Sequence, residues 1–419
     1  MPDRSKQPPF QKSLQFHLKE PLAVNQPCKA PVFLLNGGDQ EIIRLEFVFR
    51  AGKWFEPAPG LSHFTTVMLT RGTTGMSGNE IANRLDELGY HIETGSSSDY
   101  AYFTVYGLTD NLPQAAEIIR KCLTESCFLL RELRLEKEIY LQQLKVNQEK
   151  TSYLASRLFR QHLFGREHPY ASEPEPEQLN AFTSQMLTDY FSSHYRDFDL
   201  FVTGKFNSHT EKSVLGLIEQ LPWQRHADPE NAVHPAVEKQ VILPKPDAVQ
   251  ASIRVGKPCI SRQHADYPYL ALGIYLLGGF FGSRLMKVIR EEKGLTYGIH
   301  AHIQTYRKAS VFSVAADVNR QHADAAIEEC LRQIKELREG RFSDKELDLA
   351  RNHFIGSLQN EMSNAFAHME RFKALHLFQL PSDYYQNLLI KIDQACKEDI
   401  AFAIEKHIHE NDMIIAVAG

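Results

Sequence analysis

The chain has no apolar stretch long enough to cross a bilayer. Its longest apolar run, Leu270 to Phe281, is broken by Gly273, Gly278 and Gly279, and a spanning helix needs about 20 apolar residues. The run reads instead as a buried helix followed by a glycine turn. Cysteine is sparse and scattered. Cys28, Cys122, Cys127, Cys259, Cys330 and Cys396 form no C-x-x-C pair, so buried reduced thiols and a cytoplasmic protein are expected. Residues 1–27 are polar and hold no apolar core of a secretory signal. Positive charge is not in excess: 47 Lys and Arg face 52 Asp and Glu, a formal net charge of −5. Neither nucleic acid nor an anionic membrane is an expected partner. There is no H-E-x-x-H motif and no nucleophile elbow. Gly278-Gly279-Phe280-Phe281-Gly282 lacks the Lys-Ser/Thr of a phosphate loop and is not G-x-G-x-x-G.

What is present is an ordinary globular balance. The 419 residues are 43% hydrophobic and 24% charged, enough for two or three domains with full cores. Pro222 to Gln250 holds five prolines and little hydrophobic period, which reads as a linker. Similar patterns recur on either side of it. Phe103-Thr104-Val105 matches Phe312-Ser313-Val314 at an offset of 312 − 103 = 209. Ile119, Cys122 and Leu123 match Ile327, Cys330 and Leu331, and Asp189 matches Asp399. Each half ends in an apolar strand closed by glycine, at Gly204 and Gly419. A duplicated domain is expected: an N-terminal segment 1–24, a first domain 25–222, a linker 223–239 and a second domain 240–419.

Within each half, strand patterns precede long helical ones. Ile43, Leu45, Phe47 and Phe49 alternate with Arg44, Glu46, Val48 and Arg50, a strand with one buried face. Ile81, Ala82, Leu85 and Leu88 fall at helical spacing before Gly89. Ser343 to Glu346 is a capping box ahead of a stripe of Leu347, Ala350, Phe354 and Leu358. The expected class is α+β, each domain a mostly antiparallel sheet with helices on one face.

The candidate chemistry lies in two segments. The first runs from Ala51-Gly52-Lys53-Trp54-Phe55-Glu56-Pro57 through Leu61-Ser62-His63-Phe64-Thr65-Thr66-Val67 to Arg71-Gly72-Thr73. This frame resembles the zinc helix of the insulinase/pitrilysin metallopeptidases, which carries H-x-x-E-H. Here the glutamate position is Thr66 and the second histidine position is Val67. The family's third ligand is a glutamate on a later helix. In Glu136-Lys137-Glu138-Ile139-Tyr140-Leu141-Gln142-Gln143 the matching position is Gln143, and Glu136 matches the supporting carboxylate. Of the ligand set only His63 remains, so the resemblance implies no metal in this chain. His63 is then expected to be a locally packed helix residue. His300 with His302, and His407 with His409, are each two apart without a third ligand in sequence.

The second segment is Arg290-Glu291-Glu292-Lys293-Gly294-Leu295-Thr296-Tyr297. It is similar to the family's L-R-E-x-x-G-L-A-Y segment. By that resemblance Arg290 and Tyr297 are the catalytic candidates, reaching substrate beside the zinc of a neighbouring domain. Arg290 would end a helix that starts near Gly282, Gly294 would break the chain, and Tyr297 would open a strand. The two side chains are expected to point into a cavity between the halves. The resemblance also implies two similar domains arranged as a duplicated half-clamshell. The chain would be inactive alone and would pair with an H-x-x-E-H sister subunit holding zinc, to hydrolyse short or unfolded polypeptides. A homodimer could form in its absence. The alternative is a structural or recognition subunit without catalytic contribution.

Overall fold

The computed structural model describes residues 15–24, 30–234, 238–362 and 364–419. The start of the expected N-terminal segment, the expected domain boundary at 25, Cys28 and Pro235 lie outside the described residues. The first sheet is built from β1 (Leu22–Val24), β2 (Val32–Asn36), β3 (Ile42–Phe49), β6 (His91–Ser96), β7 (Ala101–Leu108) and β8 (Phe198–Gly204), in the order β1-β2-β8-β3-β7-β6. β4 (Gly72–Thr73) and β5 (Met76–Ser77) form a separate small hairpin. The second sheet comprises β9 (Gln240–Leu243), β10 (Gln250–Cys259), β11 (Thr296–Thr305), β12 (Ser310–Asn319) and β13 (Ile414–Ala418), ordered β11-β12-β10-β13-β9.

The two sheets share one plan. β2-β8-β3-β7-β6 corresponds to β9-β13-β10-β12-β11, the first pair parallel in each and the others antiparallel. The glycine that closes β8 is required by closeness: a Cβ at Gly204 would lie 2.1 Å from the Ile42 carbonyl oxygen. Strand β1 adds an edge to the first sheet, on the N-terminal side of the boundary expected at 25.

The helices follow the same correspondence. In the first half they are α1 (Leu61–Met68), α2 (Gly78–Glu87), α3 (Leu112–Thr124), α4 (Leu130–Gln148), α5 (Thr151–Phe164), α6 (Pro176–Ala181), α7 (Ser184–His194) and α8 (Ser208–Glu219). In the second they are α9 (Tyr267–Gly278), the π-helical turn Met286–Glu292, α10 (Ala323–Arg338), α11 (Asp344–Asn360), α12 (Ala365–Leu377), α13 (Tyr384–Gln394) and α14 (Lys397–His407). Helix α9 is the apolar run of the sequence, and α11 begins at the Ser343 capping box. Each half has its own core between sheet and helices.

β3 departs from the sequence reading. Its alternation predicts one buried face, yet Arg44 and Glu46 are also buried, at 8% and 6% exposure. The cover comes from the other half. Helix α12 lies on this face, with Met369 and Ala365 against Phe33, Leu35, Val48 and Phe201. Arg44 pairs with Glu370 at 2.7 Å, and Glu46 with Lys373 at 2.6 Å. The first half reciprocates. Phe159 and Leu163 of α5 pack with Val311, Ile414 and Ala416 of the second sheet. Ser252 of β10 donates to the Thr151 hydroxyl at 2.9 Å, and Arg254 Nε donates to the Ser156 hydroxyl at 3.1 Å. Each sheet therefore has its own helices on one face and a helix from the other half on the second. Full burial of a side chain such as Phe201 or Met369 contributes roughly 1.5–3 kcal/mol.

The described part of the proline-rich connection is tied down. Trp223 Nε1 donates to the Phe198 carbonyl, and Arg225 bridges Asp197 and Asp199 at 2.8 and 3.0 Å. Asp228 accepts both bonds of Arg307, at 2.7 and 2.8 Å. Asn231 Nδ2 donates to the Trp54 carbonyl, and His234 N to the Phe164 carbonyl.

Candidate functional site

The first candidate segment forms α1 and the turn before it. Gly60, at φ +96°, starts the helix, and Glu56 accepts the Ser62 N–H at 2.9 Å. A carboxylate there complements the helix N-terminus, but it is desolvated, and burial raises the Glu56 pKa from 4.5 to about 7. His63 is half-buried, its ring 5.0 Å from that of Tyr140 and 5.2 Å from that of Phe64. Burial, then the Lys53 charge, lowers its pKa. The Thr66 hydroxyl donates to the Ser62 carbonyl at 2.6 Å and lies 2.6 Å from the Tyr195 hydroxyl. Val67 packs on the first core. Gln143 is exposed on α4, whose buried Glu136 pairs with Arg71 at 2.5 Å.

A catalytic zinc needs three protein ligands and an open position. This place offers one imidazole, a valine and an exposed amide, which do not fit that ion. Among the described residues, one group of three potential ligands comes within 4.8 Å: His264, Asp266 and His407. Asp266 Oδ2 there already accepts from His407 at 2.8 Å and Lys406 at 2.9 Å. The ammonium makes it an ion-paired cluster in which a cation would meet like charge. His409, just beyond α14, caps the turn that follows it. His300 and His302 both lie exposed on β11.

The second segment brings Arg290 and Tyr297 to one groove of about 390 Å³, with Gln250, Gly294, Leu295, Thr296, Asp317 and Asn319. Every one of these residues is in the second half. The shape of this open groove is set by elements of the second half. The reason is local. Two α-helical residues, Arg284 and Leu285, lead into a π-helical turn, Met286–Glu292, a wider winding that recurs at functional sites. Arg290 lies in its last turn. Gly294 at φ +65° reverses the chain. The β11/β12 register then slips between Thr296 and Ile299, a bulge. The Thr296 hydroxyl stands in for the missing ladder bond, donating to the Asp317 carbonyl at 2.6 Å and accepting from Gly298 N at 3.2 Å. Such a bulge re-aims the side chain within it, and Tyr297 is 94% exposed.

Arg290 has no carboxylate partner among the described residues. Its guanidinium lies 4.7 Å from the centroid of the Phe281 ring, itself 64% exposed. Phe281 is a residue that sequence reasoning missed. It stands in the glycine-rich stretch, but nothing in its spacing signals that it carries Arg290.

A duplicated α+β chain with two such sheets and this Arg-to-Tyr segment defines the class of insulinase-type peptidase folds. The family model "Insulinase (Peptidase family M16)" matches residues 34–169, and "Peptidase M16 inactive domain" matches residues 181–354. The chain belongs to the M16 peptidase family. It is similar to the Bacillus subtilis protein named uncharacterized zinc protease YmxG, 21% identical over 315 residues, covering 74% of this chain and 76% of that one. It is also similar to the Helicobacter pylori protein named non-peptidase homolog YmxG, 24% identical and covering 86% and 84%. The fold is that of the solved peptidase M16 inactive domain from Pseudomonas fluorescens, with a TM-score of 0.83 at 23% identity over 93% of this chain and 96% of that one.

Proposed function

We propose that this chain is the metal-free partner in a two-chain M16 peptidase. It carries a degenerate zinc motif at His63, Thr66, Val67 and Gln143. It presents Arg290 and Tyr297 to a sister chain that holds zinc on H-x-x-E-H. The reaction is hydrolysis of peptide bonds in short or unfolded polypeptides. The observation that carries this reading is the presentation of two polar side chains outside any ion pair among the described residues: an arginine resting on the Phe281 ring and an almost fully exposed tyrosine, in one groove. Attack on an amide carbonyl builds negative charge on its oxygen. A phenol or guanidinium placed there stabilises it, and one such donor contributes about 10²–10³-fold in rate. Five described cysteines are free thiols, which favours a cytoplasmic setting, and no described helix is long and apolar enough to cross a membrane.

The test is reconstitution. The isolated chain hydrolyses no peptide, and adding an H-x-x-E-H sister restores turnover. Full activity of the reconstituted Arg290→Ala, Tyr297→Phe double variant would leave the second reading, a structural or recognition subunit. That reading is favoured by the Helicobacter relative's name, non-peptidase homolog.

A further inference from the structure

The topological equivalence of the halves points to a second place of interest. In the first half, α1, α4 and β6 enclose the position where His63 meets Tyr140. Their counterparts are α9, α11 and β11, and these enclose a cavity of about 330 Å³ rather than a filled core. That is the lower end of the size range of small-molecule sites. Its walls are apolar, from Ala271 and Ile274 of α9 and Phe354 and Leu358 of α11. One side is polar. Arg262 lies beside Tyr267 and Tyr384, and its guanidinium is 5.2 Å from the Phe378 ring. Its Nε is buried and unpartnered, and no acid pairs with it among the described residues. The Tyr385 hydroxyl is likewise buried without a partner among the described residues, on a residue only 3% exposed.

Neither atom is open to water, so what the cavity offers a ligand is the rest of the Arg262 guanidinium, which a bound carboxylate would pair with. The charges agree in sign. Arg262 and Arg371 line the cavity with one acid, Glu361, which pairs with Arg371. His302 at the rim has its pKa lowered, chiefly by desolvation, and is neutral at pH 7.5. The balance is two positive charges against one negative, or +1.

We infer that this cavity of the second half binds a small apolar carboxylate, with the apolar body between α9 and α11 and the carboxylate on the Arg262 guanidinium. An ionised carboxylate on a guanidinium makes the stronger, charge-assisted kind of hydrogen bond. The same chemistry is carried by a free aryl or alkyl acid and by the C-terminal residue of an apolar peptide. The site is independent of the reading of Arg290 and Tyr297.

The experiment is calorimetric titration of the full chain at pH 7.5 with three probes: 3-phenylpropanoate, N-acetyl-L-phenylalanine and N-acetyl-L-phenylalanine amide. Both acids bind, and the amide binds at least tenfold more weakly. The tighter acid identifies the source, a free acid or a peptide terminus. Arg262→Gln weakens the acids at least tenfold and leaves the amide unchanged. Ala271→Phe, which fills the cavity, abolishes binding of all three. Equal binding of acid and amide, no binding of any probe, or acid affinity unaltered in Arg262→Gln would each overturn the inference. Arg262 is partly exposed, so that variant remains informative if Ala271→Phe does not fold.

Discussion

Lys373 Nζ lies 2.6 Å from Glu46 Oε1, joining a helix of the second half to the central strand of the first. Their side chains are 14% and 8% exposed. Lys373 also pairs with Glu370 at 2.7 Å, so losing Glu46 leaves the ammonium one carboxylate and costs less than the roughly 3–5 kcal/mol of a buried charge left with none, whereas replacing both with apolar residues is often neutral. Glu46→Ala should therefore lower stability by about 2 kcal/mol in urea denaturation, the loss of one charge-assisted hydrogen bond. Glu46→Met with Lys373→Met should recover most of the loss. Equal loss in the single and double variants would show that the pair is not a coupled unit.

Glu56 gives a pH dependence of defined sign. Its pKa is raised from 4.5 to about 7 by burial. Between those values the folded chain holds a proton that the unfolded chain has released, so stability falls as pH rises. The difference, 7 − 4.5 = 2.5, corresponds to about 3 kcal/mol, lost fully above pH 7. Glu56→Gln keeps an acceptor for the Ser62 N–H and removes the titration. The variant should be the more stable at pH 8 by thermal denaturation, and the advantage should vanish near pH 4. A constant difference at both pH values would count against the assignment.

The isolated, untagged chain should hold no stoichiometric zinc, because one imidazole is the whole donor set beside α1. Elemental analysis decides. His63→Ala should change neither metal content nor the activity of a reconstituted pair. One zinc per chain, lost in that variant, would refute the reading.

Tyr297 and Phe281 should separate kinetically in the reconstituted enzyme. Tyr297→Phe removes a donor to developing charge and should lower kcat roughly 10²-fold. Phe281→Leu removes the ring under Arg290, an exposed cation–π contact of about 0.5–1 kcal/mol. It should raise KM two- to fivefold and leave kcat nearly unchanged. A kcat loss as large as that of Tyr297→Phe would mean that the ring orients the chemistry itself.

Much of this was legible in the sequence because local patterns carried it. The Ser343 capping box, the apolar run of α9 and the Arg-to-Tyr segment all need only neighbouring residues. The repeat offset was legible only to within one structural period. The ends of β7 and β12 differ by 319 − 108 = 211, and the starts of α3 and α10 by 323 − 112 = 211. The residue matches gave 208, 209 and 210. A slip of two along a strand, or three along a helix, leaves the same faces inward, so hydrophobic pattern cannot detect it. Burial of Arg44 and Glu46 was not legible, because their cover arrives 327 residues later in the chain. The detailed shape of the groove of Arg290 and Tyr297 was not legible for another reason. A π-helical turn and a bulge decide where those side chains go, and neither has a strong sequence signal.

The exchange of α5 and α12 makes each half a lid for the other. Covalent continuity through 223–239 is therefore not what keeps them together. Severed within that stretch, the polypeptide should persist as one particle of two fragments, and the fragments made from separate messages should find each other. Either fragment alone would meet water with an uncovered sheet face. The unit of folding is thus the whole chain, although the unit of repetition is half of it.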